Sequence, residues 1–98
     1  MSVSRSVRDL LLEQTAVETA RRWIEDVRLE LAREGRPLDG EWPCTLSEAR
    51  LRAGDAFRSA VAHREMAAPD HGDLILLAKL TTGEARRAWR KLVNRRGP

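Results

Sequence analysis

The stretch VSRSVRDLLLEQTAVETARRWIEDVRLELARE, Val3 to Glu34, decides how this chain is read. Val3, Leu10, Val17, Ile24 and Leu31 recur every seven residues, and Ala20 and Val27 fill the position three residues on in the middle heptads. Steps of three and four over this length mark a helix with one apolar seam. A strict seven-residue repeat also favours gentle supercoiling against a partner helix. Gly35 stands where a left-handed cap belongs, and Pro37 bars continuation. An unbroken helix over 3–34 spans roughly 48 Å at about 1.5 Å per residue. A compact domain of about 100 residues has a radius of gyration of only about 13 Å. The seam therefore predicts either an elongated hairpin or a break. The break belongs at Glu13 to Ala16, because Glu13 and Gln14 occupy seam positions. Ser4 or Ser6 offers a cap for a later start.

Downstream of the seam, Arg36 to Cys44 (RPLDGEWPC) reads as a loop with two prolines and no period. Trp42 is held extended by Pro43 and is expected to fold back over the end of the helical core. Thr45-Leu46-Ser47-Glu48 matches a capping box: the Thr hydroxyl takes the Glu48 amide and the Glu reaches back. The helix it opens carries the stripe Leu46, Ala49, Ala53, Ala56, Phe57, Ala60 and Val61. Small residues let two helix axes approach, so this Ala-rich helix is expected to pack on the first as a helical hairpin. Pro69 cannot continue it, which gives a helix over 45–68.

Asp70-His71-Gly72-Asp73 reads as a capping turn, and Leu74 to Leu80 is the most apolar run in the chain. The run predicts a short buried helix over 73–80. Thr81-Thr82-Gly83-Glu84 then interrupts it and repeats the capping-box pattern, so a last helix is expected over 82–95. Composition agrees with helices throughout. The 98 residues include 13 Leu and 13 Ala but only 6 Val and 2 Ile, and no Tyr. Leu and Ala favour helices, whereas β-branched and aromatic residues favour strands. The expected fold is all-α: one domain over 1–98, a small bundle of three to four helices.

The same inventory narrows the function. Cys44 is the one cysteine, so neither an internal disulfide nor a Cys-rich zinc site can form. The start shows no signal peptide and no stretch is long and apolar enough to span a bilayer, which reads as a cytoplasmic protein. His63 has no nearby Cys or second His, and Asp70, His71 and Asp73 are residue types that cap turns as readily as they bind metals. No base or orienter can be assigned to Cys44, and the glycines are scattered rather than gathered into a phosphate loop. The chain reads as non-enzymatic, with no cofactor, no metal and no small-molecule substrate.

Charge is distributed unevenly. Residues 1–78 carry 11 basic and 14 acidic groups, while 79–98 carry 7 basic and 1 acidic. In the last helix Ala85, Ala88, Trp89, Leu92 and Val93 form one stripe, and Arg86, Arg87, Arg90, Lys91 and Arg95 lie away from it. These five cations are the expected contact for an acidic partner. Val3, Val7, Leu10, Leu11 and Val17 are the expected contact for self-association or for a larger protein, because the first helix outruns the second and Leu10-Leu11-Leu12 places apolar groups around most of its girth. The resulting reading is a protein-interaction or adaptor module, self-associating, with a basic last helix. An alternative is a small nucleic-acid-binding protein. The order Leu74–Leu80, Thr81–Gly83, Glu84–Arg95 resembles a helix-turn-helix, and Arg86, Arg87, Arg90 and Lys91 could neutralise phosphates.

Overall fold

The computed structural model of the chain describes residues 6–38 and 45–95. Those residues form three helices, α1 (Val7–Arg33), α2 (Leu46–His63) and α3 (His71–Arg95). Each packs on the other two, and α1 with α3 is the most extensive contact. The N-terminal ends of α1 and α3 lie together at Arg8 and Asp73, and Gly54 of α2 approaches Leu74 of α3. The bundle therefore runs up, down, up, with α1 and α3 parallel. Its principal extents are 45 × 32 × 20 Å. The long axis matches the roughly 40 Å expected of a 27-residue α1. Among the described residues, no helix is long and apolar enough to cross a membrane.

Helix α1 is unbroken. Ser6 accepts from the Asp9 amide at 3.1 Å and starts it, and Val3 lies outside the described residues. The helix does not break at Glu13 to Ala16, where Thr15 and Ala16 are themselves buried. The buried face differs from the heptad seam. It runs Leu11, Leu12, Thr15, Ala16, Thr19, Ala20, Trp23 and Ile24, advancing by four. Leu10 lies off this face and Val17 at its edge. The reason is that α1 must face two partners, and its inner surface turns as it crosses from the cluster around Phe57 to the cluster around Trp89. The C-terminus ends as expected: Gly35 has φ +69°, the Arg36 amide donates to Leu31 O at 2.8 Å, and the Gly35 amide donates to Ala32 O.

Helix α2 begins at the Thr45 cap, whose hydroxyl accepts from the Glu48 amide at 3.1 Å. The Glu48 carboxylate takes Arg52 one turn on. The helix ends at His63, well before Pro69. Glu65 adopts φ +54°, and the Met66 amide donates back to Val61 O at 3.2 Å. This is the same cap that Gly35 makes, built on a residue that disfavours it, with Met66 packed over the Val61 cluster as recompense. Trp42 and Cys44 lie outside the described residues.

Helix α3 corrects the expected turn. Thr81, Thr82 and Gly83 sit inside one helix, not between helices over 73–80 and 82–95. Leu74, Leu77, Ala78, Thr81, Thr82, Ala85 and Trp89 form a continuous buried stripe at steps of three and four. The two threonines fill the positions where a break was expected. Asp70 caps the helix instead: its Oδ1 accepts from the Asp73 amide at 2.8 Å, and Asp73 Oδ2 accepts from the Asp70 amide at 3.2 Å.

The core has two apolar clusters. One joins Leu11, Leu12, Ala16, Ala53, Phe57, Val61 and Leu77; the other joins Ala20, Trp23, Ile24, Ala49, Ala78, Ala85 and Trp89. Among the described residues the buried polar ones are Thr15 and Thr19 on α1 and Thr81 and Thr82 on α3; Thr19 falls between the two clusters along α1, Thr15 lies beside Ala16 of the first, and Thr81 and Thr82 lie between Ala78 and Ala85 of the second. At the first cluster's end, Arg8 ties the bundle shut. Its Nε and Nη2 donate to Asp73 Oδ2, its Nη1 to Ala67 O at 3.0 Å and its Nη2 to Ala68 O at 3.2 Å. The guanidinium also lies 5.5 Å from the centroid of the Phe57 ring. Arg8 holds the Asp73 carboxyl below its usual range, burial opposes this, and the Asp70 amide adds to it.

Gly83 sits mid-helix, and a Cβ placed on it would meet nothing within 4 Å. Gly83→Ala is therefore expected to stabilise the fold by about 0.5–1 kcal/mol, read as a melting temperature raised by roughly 2–8 °C. A fall in melting temperature refutes one continuous α3. Arg8→Ala should lower the melting temperature more than Arg58→Ala, whose partner Asp55 is 71% exposed. Because the folded Asp73 carboxyl is depressed, its contribution is present above the ordinary carboxyl range of about pH 4 and is lost as pH falls through the lower folded value. Paired melting curves of the native chain and Asp73→Asn should then converge below about pH 4; a constant gap down to about pH 2 would contradict the Arg8–Asp73 tie.

Candidate interaction surface

The buried stripe of α3 leaves Ile75, Leu76, Lys79, Arg86, Arg87, Arg90, Lys91, Asn94 and Arg95 exposed. The five cations expected to contact an acidic partner thus all lie on the surface of one rigid helix. Arg87 bonds Glu84 one turn back. Lys79, Arg86, Arg90, Lys91 and Arg95 make no ion pair among the described residues. Elsewhere on the bundle exposed charge is more often matched: Arg28 with Glu25, Arg58 with Asp55, and Arg52 with Glu48 and Asp26. Arg86 with Arg90, and Arg87 with Lys91, are like charges four apart, an arrangement that costs about 0.2–0.5 kcal/mol per pair. Of the cations on α3 only Arg95 stands in its last turn, where the helix dipole favours it by about 0.3–1 kcal/mol.

Two shallow grooves flank α3. The one against α1 encloses about 170 Å³ and is lined by Val17, Ala20 and Arg21 with Glu84, Arg87 and Lys91. The one against α2 encloses about 190 Å³ and is lined by Leu46, Ser47, Arg50, Ile75, Ala78 and Lys79. The groove between α1 and α2 is larger, about 280 Å³, and is lined by two carboxylates and two guanidiniums, of which Asp26 pairs with Arg52. Arg52 lies 5.2 Å from the Trp23 ring centroid and reaches Glu48 and Asp26 around it.

The expected self-association set separates. Val7 and Leu10 are exposed, at 58% and 43%. Val17 is half-buried in the α1–α3 groove. Leu11 is 3% exposed within the Phe57 cluster, so it holds the core together and cannot serve as a contact. Val3 lies outside the described residues. Asp70 and Asp73 are committed to the α3 cap and to Arg8. The helix-turn-helix arrangement is absent, because the backbone has no turn at Thr81–Gly83.

Two features escaped the sequence reading. Arg8 meets Asp73 across 65 positions, and no local pattern announces that pairing. Ile75 and Leu76 belonged to a run that looked buried, yet they are 39% and 45% exposed. Extending the three-and-four spacing from Ala78 through Thr81 and Thr82 to Ala85 would have placed both outside. No protein-family model matches the chain, and neither a curated protein nor a solved structure is significantly similar to it.

Proposed function

We propose that this chain is a non-enzymatic protein-interaction module that presents α3 to an acidic protein surface. The observation that carries this reading is the charge of Arg86, Arg90, Lys91 and Arg95, unpaired among the described residues, on one continuous, well-packed helix. Such a helix spends no backbone conformational entropy on binding, and partner carboxylates relieve its like-charge repulsion. A nucleic-acid role loses the docking geometry that favoured it, since the backbone makes no turn at Thr81–Gly83 to set a short helix before the basic one. Titration of the full chain with a polyglutamate probe, at low and at physiological salt, tests the reading. Binding should weaken with salt, and Arg86→Glu with Arg90→Glu should abolish it without lowering the melting temperature. Unchanged binding by the double variant overturns the assignment to α3, as does tighter binding to a random DNA duplex at equal salt.

A second reading concerns self-association, and the exposure of Val7 and Leu10 on neighbouring turns of α1 favours it. Two copies of so small a protein could cover these side chains by two-fold symmetry. Light scattering of the native chain should then report a multiple of 11.1 kDa, and Leu10→Glu should return it to the single-chain mass. A native chain that already scatters as one copy at high concentration removes this reading.

A further inference from the structure

We infer that the α2–α3 groove is the docking site for an acidic amphipathic helix of a partner protein, an inference that rests on the acidic-partner reading above and narrows it to one flank of α3. The groove has an apolar lining. Ala78, 5% exposed, lies at its base, and the half-exposed Leu46 and Ile75 line it. Arg50 on α2 and Lys79 on α3 line it as well, and neither makes an ion pair among the described residues. No carboxylate lines it among the described residues.

The pattern continues along α3. Ile75, Lys79, Arg86 and Arg90 are spaced by four, seven and four, so they share one flank of the helix. From Ile75 to Arg90 that flank extends roughly 22 Å at about 1.5 Å per residue. It begins with apolar side chains in a groove and ends with Arg86 and Arg90, which make no ion pair among the described residues. The first turn of α2, at Leu46 and Ser47, adds the positive end of a helix dipole beside the apolar part. The complementary occupant is a helix of three to four turns with one or two apolar side chains at one end and carboxylates along the rest. The opposite flank, with Arg87 and Lys91, differs: Arg87 is already held by Glu84, and Glu84 itself lines the groove there. A nucleic acid fits the α2–α3 flank less well, because phosphates gain nothing from the Leu46–Ile75–Ala78 lining.

Fluorescence anisotropy with two synthetic peptides tests this. Each has about 14 residues, near the shortest length that forms a helix in water, and a Glu-rich sequence with two Leu. In one the two Leu lie a turn apart on a single face; in the other the same composition places them on opposite faces. The full chain should prefer the single-face peptide by roughly tenfold or more. Leu46→Ser with Ile75→Ser should erase that preference, and Arg50→Ala with Lys79→Ala should weaken binding of the single-face peptide by a similar factor. Arg87→Ala with Lys91→Ala should leave the preference intact. All four substituted positions in the groove are exposed, and an unchanged melting temperature for each variant shows that the fold is retained. Equal, salt-sensitive binding of both peptides sinks the groove assignment while the acidic-partner reading stands. A preference that survives the groove variants, or is lost with Arg87 and Lys91, also sinks it. Binding of neither peptide removes both. Displacement of the single-face peptide by a DNA duplex of equal charge overturns the choice of a protein partner.

Discussion

The continuity of α3 through Thr81, Thr82 and Gly83 is the constraint on which the rest of the molecule depends. A mid-helix glycine costs about 0.5–1 kcal/mol against alanine, and a buried hydroxyl without a hydrogen bond costs about 1–3 kcal/mol. Thr81 and Thr82 are buried at 0% and 7% exposure, and their hydroxyls have no partner among the described residues. The helix bears these penalties because breaking here would separate Leu77 and Ala78 from Ala85 and Trp89. Those residues anchor α3 in both clusters at once. Each large side chain fully buried contributes about 1.5–3 kcal/mol, and a break would also expose backbone groups that the helix now satisfies.

Continuity in α3 sets the architecture of its neighbours. A single rod running parallel to α1 must share its register over the full length of the bundle. Arg8 supplies that register at one end by gathering Asp73, the Ala67 and Ala68 carbonyls and the Phe57 ring around one guanidinium. The pair of Trp23 and Trp89 fills the cluster at the other end. Between them the inner face of α1 advances by four rather than seven, because the helix leaves one cluster and enters the next. The same turning moves Leu10 outward and Leu11 inward, so only Leu10 of the two is left for the contact expected of both.

The surface follows from the same packing. With α3 unbroken, its cations form two flanks of one rod instead of the recognition helix of a two-helix reader. One flank meets α1, where Glu84 and Arg87 neutralise each other. The other meets the start of α2, where Leu46 and Ile75 remain half-exposed beside Arg50 and Lys79. The α1 flank thus holds one paired cation beside Arg21 and Lys91, whereas the cations of the α2 flank, Arg50 and Lys79, have no carboxylate beside them among the described residues.

Local chemistry determined much of this protein in sequence alone. The all-α class, the Ser6 and Thr45 caps, the Gly35 stop and the outward aim of Arg86, Arg87, Arg90 and Lys91 all follow from spacing, propensity and cap geometry within a few residues. What required the tertiary structure were the decisions in which a distant contact outweighs a local preference. Thr82-Gly83 looks like a turn until burial on either side is weighed against it. Glu65 looks unfit for a left-handed cap until Met66 packs over Val61. Arg8 and Asp73 look like ordinary surface charges until 65 positions of chain fold between them and bring them within a hydrogen bond. Each of these turns on energies of a few kcal/mol gained between segments that are remote in sequence, and such energies leave no periodic trace in the chain that encodes them.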